Sequence, residues 1–381
     1  MSTPPFALPE AITRRISPAR SPAVAARLGI AVGVAITVCF LTGLISHWIQ
    51  HPPGWFWWPA HPVWLYRVTQ GTHVVTGVLT IALVLAKLWS VYPRLFARPV
   101  LGGPLRWAER ASVAVLVGAV GFQLMTGLFN IAQFYAWHFF FTSTHYAMAY
   151  VAVGAMLVHV AVKLPVVRSA LGGPAARSDG TPAESLSRRT VLSAAALSAT
   201  VAGLSIAGQS IPWLRPISVL APRSGTGPQG VPVNRTAAQA DVRAAALDPE
   251  YRLAVTVSGH RKTLSRADLR ALPQTTAAVP IACVEGWSTT AHWSGVRLRD
   301  LLAAVAEYPG GDVVFRSLEK SGLYSSSTLP ANFVTADETL IALRLNGNDL
   351  DLDHGYPCRL IAPNRPGVLQ TKWLSEIEVR T

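Results

Sequence analysis

Three side chains in the last third of the chain have the types needed to bind a soft metal and a phosphate group. Cys283 is the sole cysteine of VPIACVEGWSTTAHWSGV (residues 279–296), and Arg359 and Lys372 stand in DHGYPCRLIAPNRPGVLQTKWL (353–374). A thiolate suits a soft metal, an arginine fork binds phosphate through paired hydrogen bonds, and lysine adds a point charge. The residues alone leave three roles open for Cys283: a metal ligand, a buried core thiol, or half of a disulfide with Cys358.

Histidines in apolar stretches form a second set of candidate ligands. An imidazole at membrane depth is costly without a partner, so it usually marks a function. His73 and His145 lie at similar depths in their stretches and are the predicted axial ligands of one b-type haem. His159 follows His145 by 14 residues and lies on nearly the same helix face. It is the candidate ligand of a second haem, although no histidine in the first three predicted spans lies at that depth to serve as the partner ligand.

The composition predicts a membrane protein. Half of the 381 residues are apolar, and the mean hydropathy is +0.33. Uncharged stretches of about 20 residues match the thickness of the hydrocarbon core. Five spans are predicted, two of them within the long third stretch: 28–46, 68–86, 111–162 and 190–208.

Charge is distributed as the positive-inside rule requires. The net charge is +13, and basic residues cluster before the first span, between the second and third, and between the fourth and fifth. This predicts a multi-pass protein of the cytoplasmic (inner) membrane, with its N-terminus in the cytoplasm and its C-terminal domain outside. The tryptophan-rich HWIQHPPGWFWWPAHPVWLY (47–66) is typical of an aromatic belt at the outer interface. No basic stripe with interleaved aromatics indicates nucleic-acid binding.

The start of the fifth span suggests an export route. SRRTVLSAAALSA (187–199) resembles a twin-arginine signal placed inside the chain. Such signals export folded, often cofactor-loaded domains, so the twin-arginine translocation machinery is a predicted partner. Residues 1–27 are polar and basic, without the apolar core of a secretory signal peptide.

After a Pro/Gly/Ser-rich linker the sequence has the composition of a soluble α+β domain. Four short β-branched or apolar runs predict strands: LAVTVSG (253–259), DVVFRSL (312–318), CRLIAP (358–363) and EIEVR (376–380). Two further segments predict short helices: RADLRALP (266–273) and VRLRDLLAAVAEY (296–308). The segment that contains these runs has about 150 residues, which is large enough for a hydrophobic core of its own.

The two C-terminal motifs resemble the molybdopterin domain of the sulfite oxidase family, over about residues 225–381. The resemblance implies that the Cys283 thiolate ligates molybdenum at the catalytic centre. It also implies that His354, Arg359 and Lys372, with the adjacent Trp373, hold the pterin and its phosphate. Cys358 matches no ligand position and is expected to be a small buried residue.

A weaker match lies early in the same domain, in VPVNRTAA (231–238). The resemblance implies that Asn234 binds the cofactor and that Arg235 takes part in catalysis. The helical region, about residues 25–165, is similar to bacterial four-helix b-type cytochromes that serve as membrane subunits of periplasmic oxidoreductases.

Together these features predict a multidomain protein: an all-α transmembrane four-helix bundle with a fifth anchoring span, followed by an α+β, sulfite oxidase-like domain. The expected boundaries are a cytoplasmic tail (1–26), the cytochrome b-like domain (27–165), a cytoplasmic loop (166–189), the fifth span (190–209), a linker (210–230) and the molybdopterin domain (231–381).

The expected function is a membrane-bound molybdenum oxidoreductase. It would transfer an oxygen atom at Mo-molybdopterin and exchange electrons with the quinone pool through the haem, in contact with membrane lipid. No immunoglobulin-like domain follows the Lys-Trp motif, which favours reduction of a small S-oxide or N-oxide over sulfite oxidation. The alternative is a haem-free, membrane-anchored sensor or binding protein whose molybdopterin-type domain is degenerate.

Overall fold

The computed structural model of the chain describes residues 17–95, 103–139, 141–172, 187–221, 227–322 and 325–380. The chain divides into two compact units. The first comprises Met1–Leu44 and Thr72–Ile206, and the second comprises Ile45–Gly71 and Ala207–Thr381. Much of the predicted tail (1–16), cytoplasmic loop (173–186) and linker (222–226) lies outside the described residues.

Five described helices are long and apolar enough to cross a membrane. They are α1 (Pro22–Gln50), α2 (Leu65–Leu95), α3 (Pro104–Ala132), α4 (Phe141–Gly172) and α5 (Arg188–Ala207). Each predicted span is therefore a helix. The grouping of the first four into a bundle remains a prediction.

The long uncharged stretch 111–162 breaks where two helices were predicted to join. Helix α3 ends at Ala132 because Gln133 takes the left-handed conformation, with φ of 52°. Its backbone N–H donates to Asn130 O, which satisfies one of the last carbonyls of the helix. Helix α4 then begins at Phe141 and packs against α3.

The second unit contains two five-stranded sheets. The first has the order β2-β1-β10-β5-β6, in which only the β1–β10 pair is parallel among the described strands. The second has the order β3-β4-β7-β8, with β9 also paired to β7, and all of its pairs are antiparallel. The predicted α+β class of this part is confirmed.

The strands are β1 (Leu253–Val257), β2 (His260–Leu264), β3 (Gln274–Ala282), β4 (Ser288–Arg297), β5 (Asp312–Ser317), β6 (Ser326–Leu329), β7 (Leu340–Leu345), β8 (Asn348–Asp349), β9 (Arg359–Ile361) and β10 (Leu374–Arg380). The helices are α6 (Arg243–Leu247), α7 (Arg266–Ala271), α8 (Leu298–Ala303) and α9 (Ala331–Val334).

One apolar core holds both sheets together. Fully buried side chains from β1, β5 and β10 meet those from β4, β7 and β9 in a single cluster, with helix residues such as Leu301 and Phe333. Burying residues of this size stabilises the fold by roughly 1.5–3 kcal/mol each. The core thus fixes β9, and with it Arg359, relative to β10.

The β3–β4 hairpin was missed by the sequence patterns, although it carries Cys283 at its turn. The first half of β3 is rich in Gln and Thr and mostly exposed, so it lacks an apolar signal. Pro280 is tolerated because β3 lies at the edge of its sheet, where a missing N–H breaks no ladder. The predicted helix 296–308 is shorter in the structure. It begins at Leu298, because Val296 and Arg297 complete β4, and it ends at Ala303.

The tryptophan-rich segment between α1 and α2 belongs to the second unit. Trp55, Trp57 and Trp64 are exposed, as an interfacial belt requires. Trp58 instead packs against the apolar core, and its indole Nε1 donates to Asn364 O at 2.9 Å. This part of the chain is therefore built into the domain that carries Cys283.

Gly295 lies where the β4–β7 register shifts, and it tests how closely these strands approach. A Cβ at this position would lie 2.0 Å from Ile341 O and 2.7 Å from Ala342 Cα, both backbone atoms. We expect Gly295→Ala to destabilise the domain by about 1–3 kcal/mol, as overpacking does. Thermal unfolding of the purified protein measures this as a drop of several degrees in Tm. Gly54→Ala is the control, because nothing lies within 4 Å of its added Cβ; equal Tm values would contradict the register.

Candidate cofactor site

Cys283 lies at the turn of the β3–β4 hairpin. Its backbone N–H donates to Trp287 O at 2.8 Å, and its carbonyl accepts from Gly286 N at 3.0 Å. Gly286 has φ of 95°, which favours glycine. The indole of Trp287 donates to the Glu285 carboxylate at 3.1 Å. These contacts hold the cysteine in one backbone conformation, with the residue only 1% exposed.

Cys358 is not the partner of Cys283, because both are free of disulfides. Cys358 lies in the main core, and its Sγ is 3.3 Å from the hydroxyl of Tyr251. Burial raises the pKa of the Cys358 thiol to about 12, so it stays neutral and unreactive. The expectation that Cys358 is a small buried residue is confirmed.

A second loop packs against the Cys283 turn. Pro366 forms a parallel bridge with Ala282. A Cβ on Gly367 would lie 3.9 Å from Cys283 Cα. The same loop continues through Gln370 to Lys372. It therefore brings the second sequence motif next to the Cys283 turn of the first.

Arg359 and Lys372 converge on Gly355. With φ of 107°, Gly355 adopts a conformation that side chains rarely take, and an added Cβ would lie 3.1 Å from the Cβ of each cation. Arg359 donates from Nη1 to His354 O and from Nη2 to Gln370 O. Lys372 Nζ donates to Arg235 O at 2.6 Å and to Asp353 O at 2.9 Å.

Burial and a neighbouring charge disfavour protonation of Lys372. Burial, followed by the Arg359 charge, lowers the pKa of Lys372 to about 7, against smaller opposing effects of Asp353, Glu319 and Cys283. Burial alone lowers the pKa of Arg359 to about 9. The proton on Lys372 is therefore held less firmly than on an exposed lysine.

These residues fit a group that carries both an anion and a soft metal. The hydrogen-bond acceptors of Arg359 and Lys372 are backbone carbonyls, and Arg359 Nε is buried with no hydrogen-bond partner among the described residues. Buried positive charge of this kind calls for a compensating anion. A phosphate beside the cations would supply that anion, and the Cys283 thiolate would bind the metal.

The structure places Arg235 beside Lys372 through its backbone, whereas its side chain forms an ion pair with the buried carboxylate of Glu319. Asn234 is exposed. The predicted catalytic role of Arg235 and cofactor contact of Asn234 remain predictions. Glu319 was missed because a single acidic residue in a strand-to-loop segment carries no pattern.

His354 and Trp373 form hydrogen bonds with backbone carbonyls next to Arg359 and Lys372. His354 Nε2 donates to Pro228 O at 2.7 Å, and burial lowers the pKa of its imidazole to about 4, so the ring is neutral at pH 7. The buried indole of Trp373 donates to Leu352 O at 2.7 Å, and Lys372 Nζ lies 4.6 Å from the centre of the ring. These ring N–H groups donate to backbone carbonyls of the protein. Direct contact of either residue with a pterin remains a prediction.

Two further buried polar residues of the 364–372 loop were missed. Arg365 donates to Thr328 O at 2.9 Å and lies over the Phe333 ring. Gln370 is 2% exposed, and its Oε1 has no hydrogen-bond partner among the described residues. Their one sequence signal was their position between Arg359 and Lys372.

His73 and His145, in the first unit, face each other with ring centroids 6.5 Å apart. His73 Nδ1 lies 2.9 Å from Cys39 O, and His145 Nδ1 lies 3.0 Å from Thr126 Oγ1. Hydrogen bonds at Nδ1 orient an imidazole to bind a metal through Nε2. The two rings lie close together, and their role as axial haem ligands remains a prediction. His159 is half-buried on α4 and belongs to no such ring pair among the described residues.

The depressed pKa of Lys372 predicts a pH dependence of stability. The ordinary value is 10.5 and the folded value is about 7, so between these pH values the unfolded chain binds more protons. Stability then rises with pH across this window. We expect Lys372→Met to flatten this rise in protein without a bound anion, as measured by Tm from pH 7 to 10. The exposed Lys320→Met should keep the slope of the parent protein; a slope unchanged in Lys372→Met would contradict the assignment.

Comparison with known proteins identifies the domain that contains this site. The family described as "Oxidoreductase molybdopterin binding domain" matches residues 239–381. That match includes Cys283, Arg359 and Lys372, and it begins after Arg235.

Curated relatives are similar to part of the chain. Mitochondrial sulfite oxidase of Homo sapiens is 31% identical over 163 residues, which cover 35% of this chain and 30% of that protein. Nitrate reductase [NADH] of Volvox carteri is 36% identical over 103 residues, or 24% of this chain and 12% of that protein. The chain thus spans less than a third of these relatives.

Two further proteins are similar to part of this chain. The uncharacterized oxidoreductase YuiH of Bacillus subtilis is 30% identical over 120 residues, or 31% of this chain and 59% of that protein. Among solved structures, the sulfane dehydrogenase SoxCD of Paracoccus pantotrophus is 24% identical and covers 34% of this chain and 38% of that one, with a TM-score of 0.31. Residues 239–381 thus match the family of molybdopterin-binding oxidoreductase domains, and the curated proteins to which this chain is similar include sulfite oxidases.

Proposed function

We propose that the chain is a membrane-bound molybdenum oxidoreductase that transfers an oxygen atom at Mo-molybdopterin and exchanges electrons with the quinone pool through an intramembrane b-type haem. The observation that carries the proposal is geometric: Arg359 and Lys372 meet at Gly355, and the loop that leads to Lys372 packs through Pro366 and Gly367 against the Cys283 turn. A reduced thiol held beside buried cations is suited to a cofactor that presents a metal at one end and a phosphate at the other.

Each residue has a distinct part in this scheme. Cys283 supplies the thiolate ligand, and its turn excludes water from the sulfur. Arg359 and Lys372 bind the phosphate, which would restore the ammonium of Lys372 at neutral pH. Arg235 is held by Glu319 at the edge of the same site and is the candidate group to orient substrate. The bound molybdenum would supply two-electron oxygen-atom transfer, while the protein provides position and electrostatics.

The histidine pair supports the haem proposal. Two imidazoles that bind one iron from opposite sides lie roughly 6 Å apart between ring centres, given metal–nitrogen bonds of about 2 Å. The 6.5 Å separation of His73 and His145 agrees with this. Gly43 leaves the space that His73 occupies, since a Cβ there would lie 3.0 Å from the ring. We propose one haem at this pair, with His159 as the ligand of a second if two are present.

The membrane topology and export route are part of the same proposal. The charge pattern supports a cytoplasmic N-terminus and an exported molybdopterin domain in the cytoplasmic membrane. Helix α5 begins at Arg188, where Ser187 Oγ accepts a hydrogen bond from Thr190 N. Export by the twin-arginine machinery would deliver the domain already folded around its cofactor.

The proposed substrate class is a small S-oxide or N-oxide. The named relatives are sulfite oxidases and nitrate reductases, and the chain shares less than a third of their length. A screen of S-oxides, N-oxides, nitrate and sulfite, with a quinol or reduced viologen as donor for the reductions and an artificial acceptor for the oxidation, identifies the substrate. Turnover of sulfite alone would contradict the proposed class.

Cys283→Ser tests the molybdenum site. We expect the variant to lose more turnover than the roughly 10–100-fold typical of changes around a ligand, and to lose bound molybdenum by metal analysis. Cys358→Ala is the matched control, because this thiol lies in the core of the same domain; it should keep molybdenum and turnover if it folds. Full turnover in Cys283→Ser would remove the ligand assignment.

The haem is tested by histidine substitution. We expect His73→Ala and His145→Ala each to abolish the reducible Soret band of the purified protein. His51→Ala, at an exposed position outside the spans, should leave the band unchanged. A haem-to-protein ratio that falls by half in His159→Ala would establish a second haem. Parent protein with neither a Soret band nor molybdenum would instead support the sensor alternative.

A further inference from the structure

The Cys283 turn is held from outside by a segment that lies far away in the sequence. Gln70, in the first turns of α2, is 5% exposed. Its side-chain amide donates from Nε2 to Val284 O at 3.2 Å. Val284 follows Cys283 directly, so this hydrogen bond fixes the Val284–Glu285 peptide unit, one peptide beyond the proposed metal ligand.

The same helical turn holds the second loop of the site. Tyr66 N donates to the side-chain Oδ1 of Asn364 at 2.6 Å, so Asn364 satisfies one of the first N–H groups of α2. Asn364 also donates to Pro59 O and accepts from the Trp58 indole. It is 1% exposed and lies two residues before Pro366, which pairs with Ala282.

Apolar packing joins these contacts into one body. Tyr66 packs with Ala282, Val368 and Leu369, and Val284 borders the same cluster. The residues on both sides of Cys283 therefore contact the turn that begins α2. Since buried side chains of this kind are close-packed, a shift of Tyr66 or Gln70 displaces the cysteine backbone.

The far side of the Cys283 turn is held by the residues that follow α5. Ser210 Oγ donates to Gly286 O at 3.3 Å, and Ser288 N donates to Gln209 O at 2.8 Å. Arg67 Nε donates to Ser210 O at 2.8 Å, which links this support to the α2 turn.

We propose that Gln70 is a positioning residue for the Cys283 ligand, with Ser210 as its counterpart across the turn. The proposal rests on the proposed function, in which Cys283 ligates molybdenum. Gln70 touches the ligand loop and not the reacting atoms, so it acts by fixing the direction from which the thiolate meets the metal. Hydrogen bonds that orient ligands in this way tune a metal's affinity and potential.

The test uses the full-length protein with Gln70→Leu and Gln70→Glu, neither of which retains the amide donor. We expect molybdenum to be retained, the g-values of the Mo(V) electron paramagnetic resonance signal to shift, and turnover to fall about tenfold, as for other residues around a ligand. Ser210→Ala should shift the same signal to a smaller extent.

A matched control and a cofactor-free measurement make the test specific. Gln50→Leu removes another glutamine amide of the same unit, one that donates to Ser46 of its own helix, and it should leave the signal unchanged. In protein without cofactor, alkylation of Cys283 should be several-fold faster in Gln70→Leu than in Gln50→Leu, because the turn opens more readily.

The outcomes distinguish the proposed function of the chain from the positioning role of Gln70. Parent protein without molybdenum would overturn the proposed function itself. Parent protein with molybdenum, together with an unaltered Mo(V) signal and alkylation rate in Gln70→Leu, would overturn the positioning role alone.

Discussion

Two cations, Arg359 and Lys372, share one small volume of the second unit, and the surrounding fold is arranged to keep them there. Their stems meet at Gly355. An added Cβ there would lie 3.1 Å from the Cβ of each cation, and the positive φ would strain any side chain. Backbone carbonyls accept their hydrogen bonds, which orients the charges without neutralising them. Buried charge left in this state is costly, so the site is poised for an anion. The turn that carries Cys283 packs against the loop that leads to Lys372.

The cysteine itself is positioned by parts of the chain that a conventional domain boundary would separate. Its hairpin turn contacts the loop 364–369, and both contact the first turn of α2. The segment Ile45–Gly71 is therefore a structural part of the molybdopterin domain. Helix α2 supplies Tyr66 and Gln70 to this domain, and further along it carries His73 of the histidine pair.

The proposed function combines two sites that lie in one chain. Residues 239–381 match the molybdopterin-binding oxidoreductase family, and the His73–His145 pair is the proposed site of a haem that would carry single electrons. A fused cytochrome would raise the effective concentration of the electron donor and remove the need for a diffusing partner. The five apolar helices are consistent with lipid contact.

The sequence alone predicted the five apolar helices and the α+β class, and it named Cys283, Arg359, Lys372, His73 and His145 as candidate ligands. Hydropathy, local periodicity and short motifs are properties of neighbouring residues, so they can be read without the fold. Only the tertiary structure showed the β3–β4 hairpin, the Arg235–Glu319 pair and the support of the Cys283 turn by Gln70 and Asn364. These contacts join residues as much as 298 positions apart in the chain. They depend on how the core packs the two sheets, which no local pattern encodes.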